Sequence, residues 1–183
     1  MTRKTLILIT GMPGSGKTTL TGFFEYIGCK KITMGDIIRD IATERGFEPI
    51  PEVLSSIAKE IREEGGDAIL GELCAEKLHN VSEDFIVVDG IRSLAEVEAF
   101  RTSFDIVLVA IHSSPKTRYI RLMNRKRMDD TLDWKTFQMR DYRELGFNLG
   151  RVIVLADHLI INEGSLMDLK KTFRGLLQKL KYA

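Results

Sequence analysis

The stretch Leu6–Leu20, LILITGMPGSGKTTL, decides how the rest of this chain is interpreted. An apolar run leads into a glycine-rich turn, and the turn leads into residues that favour a helix. Gly11, Gly16, Lys17 and Thr18 match the spacing G-x-x-x-x-G-K-[ST] at every fixed position. This spacing, set between a predicted strand and a predicted helix, indicates a phosphate-binding loop.

Each fixed residue of the loop has a chemical reason. Gly11, Gly14 and Gly16 let the backbone curl so that successive N–H groups surround an anion. The first N–H groups of the following helix have no partner inside the helix and add to the same site. Lys17 brings a positive charge to the β- and γ-phosphates, and the Thr18 hydroxyl can bind Mg²⁺. A simple strand-to-helix turn would explain the glycines but not the lysine and threonine.

The composition favours one globular domain with a sizeable core, because the chain has 183 residues, of which 44% are hydrophobic. A net charge of +1 provides no general attraction to nucleic acid or to an anionic membrane. The two cysteines lack the spacing of metal ligands. No apolar run approaches the length of about 20 residues that spans a bilayer. We therefore expect a cytoplasmic protein without membrane or nucleic-acid partners.

Apolar runs without alternation recur between helical patterns, as expected of parallel strands covered by helices on both faces. These predicted strands are Thr5–Thr10, Lys31–Thr33, Phe85–Asp89, Ile106–His112 and Leu159–Asn162. Cap residues at Ser93, Ser114 and Ser165 mark helix starts between and after them. The sequence therefore predicts a three-layer α/β fold, in which ligands bind beyond the carboxyl ends of the strands.

Polar residues follow two of these strands. Asp89 ends an apolar strand, where it would lie beside the phosphate loop and hold Mg²⁺, and Arg92 could bind a phosphate with two hydrogen bonds. Asp36 and Arg39 follow the second strand, where Asp36 would lie near a phosphoryl acceptor and Arg39 on its phosphate. The alternatives are a strand-end turn for Asp89, an exposed loop arginine for Arg92 and helix-start chemistry for Asp36.

An arginine-rich segment predicts a small helical lid. Arg118, Arg121 and Arg125 are spaced by three and four residues, so they share one helix face. Arg140 and Arg143 belong to a second helix, after a break near residues 129–133. Two such arms could close over a triphosphate, exclude water and neutralise charge on the moving phosphoryl group.

Two apolar residues of the first arm, Ile120 and Met123, lie off the arginine stripe, so we expect them to face the core. A solvated surface helix is the alternative to a lid. A nucleic-acid patch is a further alternative, although interleaved exposed aromatic residues are lacking. The phosphate loop favours the lid.

Three segments resemble, in order, the signatures of adenylate kinase and other P-loop nucleoside monophosphate kinases. They are residues 11–18 (GMPGSGKT), 34–39 (MGDIIR) and 88–92 (VDGIR). Segments 89–98 (DGIRSLAEVE) and 110–118 (AIHSSPKTR) resemble an archaeal family of adenylate-kinase-related proteins, and that likeness covers nearly the whole chain. The ending ADHLIIN is also similar to dephospho-coenzyme A kinase.

The resemblance implies one P-loop kinase domain over residues 1–183, with a five-stranded parallel sheet. Within it, residues 34–80 would form an acceptor-binding helical region and residues 118–145 the lid arms. The residues implied to bind ATP are Gly11, Met12, Pro13, Gly14, Ser15, Gly16, Lys17, Thr18 and Thr19.

Roles elsewhere in the chain follow from the same resemblance. Lys17, Arg121 and Arg125 would act in catalysis, and Thr18 and Asp89 would hold Mg²⁺. The residues implied to bind the acceptor are Asp36, Arg39, Arg92 and Glu96. Glu96 falls where adenylate kinase has a glutamine that recognises adenine, and an ionised glutamate can only accept hydrogen bonds.

We therefore expect an ATP–Mg²⁺ kinase that transfers the γ-phosphoryl group to a small phosphorylated acceptor. The acceptor that we expect is AMP or another nucleoside monophosphate. A dephospho-coenzyme A kinase-like enzyme is the alternative in the same class. A low-turnover switch or sensor that binds ATP or AMP is an alternative in another class, and an RNA-linked ATPase is a third.

Overall fold

A computed structural model describes residues 3–125 and 133–180. Five parallel strands form one sheet in the spatial order β2-β3-β1-β4-β5. Their bounds are β1 (Thr5–Thr10), β2 (Lys30–Thr33), β3 (Phe85–Ile91), β4 (Asp105–His112) and β5 (His158–Ile161). All five predicted strands are confirmed, with ends that differ by no more than two residues.

Helices connect the strands, as parallel pairing requires. They are α1 (Lys17–Tyr26), α2 (Met34–Glu44), α3 (Pro51–Gly65), α4 (Ile69–His79), α5 (Leu94–Arg101), α6 (Pro115–Arg125), α7 (Trp134–Gly146), α8 (Leu149–Val154) and α9 (Leu166–Leu180). No helix in the described part of the chain is long and apolar enough to cross a membrane.

Local hydrogen bonds explain where several helices begin. Ser93 caps α5 in a reciprocal capping box with Glu96, and Thr33 caps α2 in the same way with Asp36. The Ser165 hydroxyl accepts a hydrogen bond from the backbone N–H of Asp168 at 3.3 Å, at the start of α9. The capping residue predicted at Ser93 is thus confirmed.

Two apolar clusters lie on opposite faces of the sheet, because successive strand residues point to opposite sides. On one face Leu6 and Leu8 of β1 pack with residues of α2 to α5. On the other face Ile7 and Ile9 pack with residues of α1 and α9, including Phe173. The three-layer α/β fold predicted from the sequence is confirmed.

The strand order determines where the chemistry-bearing loops meet. The first strand lies between β3 and β4, with Ile9 in register with Asp89 of β3. Asp89 is also in register with Thr33, the last residue of β2. The loops that follow β1, β3 and β4 therefore share one edge of the sheet, which is where ligands bind in open α/β folds.

Candidate functional site

The loop between β1 and α1 has the backbone geometry that its glycines predict. Gly14 has a φ of 79° and Gly16 a φ of 108°, which residues with a side chain rarely adopt. A Cβ atom on Gly14 would lie 2.8 Å from the carbonyl oxygen of Arg118, and one on Gly16 would lie 2.4 Å from Asn162 Nδ2. Gly16 is the N-cap of α1 and provides no side-chain cap. The first N–H groups of α1 are therefore arranged to bind an anion.

Lys17 is held inside this loop. Its Nζ donates to the carbonyl oxygen of Gly11 at 2.7 Å and to that of Met12 at 3.3 Å. Burial lowers the pKa of Lys17 to about 8, although Asp89 and Glu144 act in the opposite direction. The lysine thus lies among both acidic and basic neighbours, at the point where the loop would receive phosphate oxygens.

Asp89 is a buried carboxylate close to the loop. Its Oδ1 is buried and has no hydrogen-bond partner among the described residues. Burial raises the pKa of this carboxyl, although Lys17 acts in the opposite direction. A carboxylate oxygen without a partner is unfavourable in the interior, and a bound cation would compensate it. The Thr18 hydroxyl and Asp89 together offer the oxygen donors that Mg²⁺ prefers, so these residues fit the ion.

A cavity of about 500 Å³ lies next to the loop. The loop, the turn after β3 and helices α6 and α7 all contribute to its wall. The basic side chains on its lining are Lys17, Arg92, Arg121, Arg125 and Arg140. In the described part of the chain, Glu144 is the one acidic residue on that lining. The lining is therefore complementary to a ligand that carries several phosphate groups.

Arg121 and Arg125 of α6 both reach this cavity. The Arg121 guanidinium donates to Ser113 Oγ at 2.9 Å and to the carbonyl oxygens of Asn162 and Gly164 at 3.0 and 3.3 Å. It therefore ties α6 to the loops after β4 and β5 and is positioned by both. Of the break predicted near residues 129–133, residues 129–132 lie outside the described part of the chain.

Arg118, predicted to share one face of α6 with Arg121 and Arg125, does not line the cavity with them. Its exposed fraction is 3%, and its guanidinium binds both carboxylate oxygens of Asp141 on α7. It also donates to the carbonyl oxygens of Ser113 at 3.1 Å and of Pro13 at 3.2 Å. The Phe137 ring packs under it, with the guanidinium carbon 5.1 Å from the ring centroid. Arg118 thus joins α6 and α7 to the phosphate loop.

Arg92 and Glu96 lie at the start of α5, but only Arg92 lines the cavity. Arg92 Nε lies 3.4 Å from Glu144 Oε2. Glu96, predicted to contact the acceptor, is not on this lining, and its exposed fraction is 1%. Its Oε2 accepts from the backbone N–H of Arg92 at 2.8 Å and of Ser93 at 3.3 Å, and Oε1 lies 3.5 Å from Arg62. Glu96 therefore fixes the turn that presents Arg92, and burial raises the pKa of its carboxyl.

Asp36 and Arg39 are not on the lining of this cavity. Asp36 accepts a 2.9 Å hydrogen bond from the backbone N–H of Thr33 and forms an ion pair with Arg39. Burial opposes ionisation of Asp36, but hydrogen bonds from Arg39 and Thr33 outweigh it and lower the pKa. Both side chains are partly exposed just beyond β2, whose last residue, Thr33, is in register with Asp89. They thus lie at the same edge of the sheet as the cavity.

Sequence reasoning missed two residues of this site. Asn162, which follows β5, is buried and donates through Nδ2 to the carbonyl oxygen of Ser15 at 2.8 Å. Glu144 lines the cavity four residues after Arg140, and this spacing places both on one face of α7. The four-residue spacing from Arg140 could have indicated Glu144. No local pattern indicates the hydrogen bond from Asn162 to Ser15, because that bond depends on where β5 lies in the sheet.

Comparison with known sequences agrees with this geometry. Residues 7–144 match the family described as an AAA domain. A UPF0200 protein of Hyperthermus butylicus is 43% identical over 175 residues, which are 96% of this chain and 94% of that protein. A UPF0200 protein of Methanococcus maripaludis is 43% identical over 180 residues, covering 94% of this chain and 97% of its own. Both relatives are archaeal, as the sequence resemblance implied.

Solved structures share the fold at low sequence identity. The crystal structure of TT1252 from Thermus thermophilus has a TM-score of 0.68 at 18% identity, covering 97% of this chain and 98% of its own. Shikimate kinase from Acinetobacter baumannii, in complex with shikimate, has a TM-score of 0.62 at 18% identity, covering 100% and 97%. These likenesses concern the α/β P-loop kinase-like fold alone. By sequence, the chain belongs to the UPF0200 family, and its residues 7–144 form a domain of the AAA type.

Proposed function

We propose that this protein is a kinase that binds Mg²⁺–ATP and transfers the γ-phosphoryl group to a small phosphorylated acceptor, a nucleoside monophosphate. The observation that carries the proposal is the cavity beside the phosphate loop, with its five basic side chains from four parts of the fold. The likeness of the fold to shikimate kinases, which are kinases of small molecules, supports the same class of reaction.

In this proposal residues 11–19 hold the ATP phosphates. The backbone N–H groups of the loop and of the first turn of α1 bind the phosphate oxygens, and Lys17 exchanges its carbonyl partners for them. Thr18 and Asp89 hold Mg²⁺, with Asp89 directly or through water. When bound, this ion neutralises charge on the β- and γ-phosphates.

The acceptor lies on the β3 side of the cavity. Arg92 binds its phosphate, because the guanidinium is on the lining and its backbone N–H is fixed by Glu96. Asp36 and Arg39 lie beyond β2, at the same edge of the sheet, and would contact the part of the acceptor that extends past Arg92. The helical region 34–80, which contains α2, α3 and α4, would cover that side.

The transfer is an in-line displacement. An oxygen of the acceptor phosphate forms a bond to the γ-phosphorus as the bond to the β,γ-bridging oxygen breaks, and the products are ADP and the phosphorylated acceptor. Lys17, Arg121 and Arg125 stabilise the negative charge on the transferred group. Because the attacking oxygen belongs to an ionised phosphate, positioning and electrostatics account for most of the rate.

The test is ADP production from Mg²⁺–ATP with no acceptor, with each nucleoside monophosphate, with dephospho-coenzyme A and with shikimate. The proposal predicts strong stimulation by one nucleoside monophosphate, with its diphosphate detected as product. Stimulation by dephospho-coenzyme A instead would support the alternative kinase. A slow rate unchanged across the panel, with tight binding of ATP or AMP, would contradict the kinase and favour the switch.

A further inference from the structure

The cavity contains a carboxylate for which the transfer reaction has no use. Glu144 is on the lining, and on α7 only Phe137 and Glu144 are buried. Glu144 also lies in the last turn of α7, where the helix dipole disfavours a negative charge. The helix itself therefore does not explain why a carboxylate is buried at this position. The positively charged side chains near it, Arg92 and Lys17, explain its burial.

The contact between Arg92 and Glu144 is a loose one. The distance of 3.4 Å from Arg92 Nε to Glu144 Oε2 is longer than the roughly 2.7–2.9 Å of a charge-assisted hydrogen bond. The Arg92 side chain is 45% exposed, so it has room to turn, whereas that of Glu144 is 12% exposed. A phosphate group could bind the same guanidinium with two parallel hydrogen bonds. A phosphate group, which would bind Arg92 more strongly, can therefore replace the Glu144 carboxylate.

We propose that Glu144 occupies, in the ligand-free protein, the place on Arg92 that the acceptor's phosphate takes, and that the phosphate displaces it. This inference rests on the proposed role of Arg92 in acceptor binding. Glu144 then neutralises the basic cavity while it is empty and opposes acceptor binding until the exchange. Glu144 belongs to α7 and Arg92 follows β3. When the phosphate replaces Glu144 on Arg92, the ion pair that connects α7 to the turn after β3 is therefore broken.

The same geometry argues against a direct chemical role for Glu144. A general base must lie within hydrogen-bond reach of the proton that it removes. An ionised phosphate acceptor has no such proton to give, and Glu144 already lies against a guanidinium. Its carboxylate would also repel the phosphates during transfer, so its displacement favours the reaction.

The experiment is calorimetric titration of the full chain, preloaded with Mg²⁺ and a non-hydrolysable ATP analogue, using AMP and inorganic phosphate as probes. Glu144→Gln should tighten AMP binding about three- to tenfold, because it removes a competing anion of similar shape. Arg92→Ala should weaken binding at least about tenfold. Glu144→Asp, which shortens the side chain but keeps its charge, should give a smaller gain than Glu144→Gln.

The double variant tests displacement against general charge repulsion. In the Arg92→Ala background, Glu144→Gln should change AMP affinity less than about twofold, because the contested partner is gone. The matched control is Glu98→Gln on α5, whose exposed carboxylate pairs with Arg101 at 2.8 Å and should not affect binding. Circular dichroism of each variant separates loss of binding from loss of folding.

Several results would overturn the inference. Unchanged or weaker binding in Glu144→Gln, alongside weaker binding in Arg92→Ala, would refute displacement and leave the proposed function standing. An undiminished gain in the Arg92→Ala background would also refute it, since the effect would then be general. A turnover loss above about 100-fold in Glu144→Gln with unchanged AMP affinity would also refute it, because Glu144 would then act in transfer and not in competition for Arg92. No effect of Arg92→Ala would reject the proposed acceptor site itself.

Discussion

The Arg118–Asp141 ion pair provides a sharp test of how the arms are attached to the phosphate loop. The change is Asp141→Asn, which keeps the shape of the side chain and removes its charge. Arg118 Nη1 lies 2.8 Å from Asp141 Oδ1, Nη2 lies 2.5 Å from Oδ2, and the exposed fraction of Arg118 is 3%. The substitution therefore leaves a buried guanidinium without its counter-charge.

The magnitude follows from this geometry. Breaking a buried ion pair by removing one partner costs roughly 3–5 kcal/mol of unfolding free energy. We expect the lower end, about 3 kcal/mol, because Arg118 keeps its bonds to Ser113 and Pro13 and the Asp141 side chain is 15% exposed. For a chain of this size the melting temperature should fall by roughly 6–12 °C.

Urea unfolding followed by circular dichroism measures this loss. Glu98→Gln, which breaks the exposed pair with Arg101, is the matched control and should cost no more than about 0.5 kcal/mol. Replacing both partners, as in Arg118→Met with Asp141→Leu, should restore much of the stability that Asp141→Asn removes. A loss in Asp141→Asn below about 1 kcal/mol would refute the claim that this pair holds the arms on the loop.

Three further substitutions test the proposed site. Lys17→Ala should lower ADP production at least about 100-fold in a coupled assay, because it removes a charge from the transferred phosphate, and unchanged turnover would reject the kinase. Arg92→Ala should raise the acceptor KM about tenfold or more and leave the ATP KM unchanged; an equal rise in both would contradict its role. Asp89→Asn should lower turnover about 100-fold. The same variant should have a higher melting temperature in EDTA, because burial raises the pKa of Asp89 and makes its ionised form unfavourable when no Mg²⁺ is bound. A lower melting temperature would contradict that last argument.

The fold could be predicted from the sequence because its signals are local. Apolar runs define the strands, and serine caps define helix starts at Ser93 and Ser165. The phosphate loop was equally accessible, since its glycine spacing reflects backbone angles that only glycine adopts easily. The alternation of strands with helices then left one arrangement, parallel strands covered on both faces.

The burial of three side chains of α6 could not be predicted, because a charged residue is buried there and two apolar ones are not. Arg118 is 3% exposed, whereas Ile120 and Met123, expected to face the core, are 48% and 36% exposed. The reason is Asp141 on α7, a partner distant in sequence that makes burial of a guanidinium favourable. Apolar periodicity carries no information about such a partner.

The acceptor side shows a similar limit. Motif resemblance assigned Glu96 to ligand contact, but its carboxylate is used by the backbone N–H groups of Arg92 and Ser93. A capping box explains that sequence position without any ligand. Placing Glu144 beside Arg92 required the position of the end of α7 next to the turn after β3, which brings together residues 52 positions apart in the chain.

The most direct test of the central claim follows the γ-phosphoryl group itself. Mg²⁺–ATP labelled at the γ-phosphate is incubated with the full chain and each nucleoside monophosphate in turn, and the labelled products are separated. Transfer predicts that the label appears in one nucleoside diphosphate and that Lys17→Ala abolishes this product. Label found only in inorganic phosphate, at a rate that no acceptor changes, would contradict the claim that the protein is a kinase.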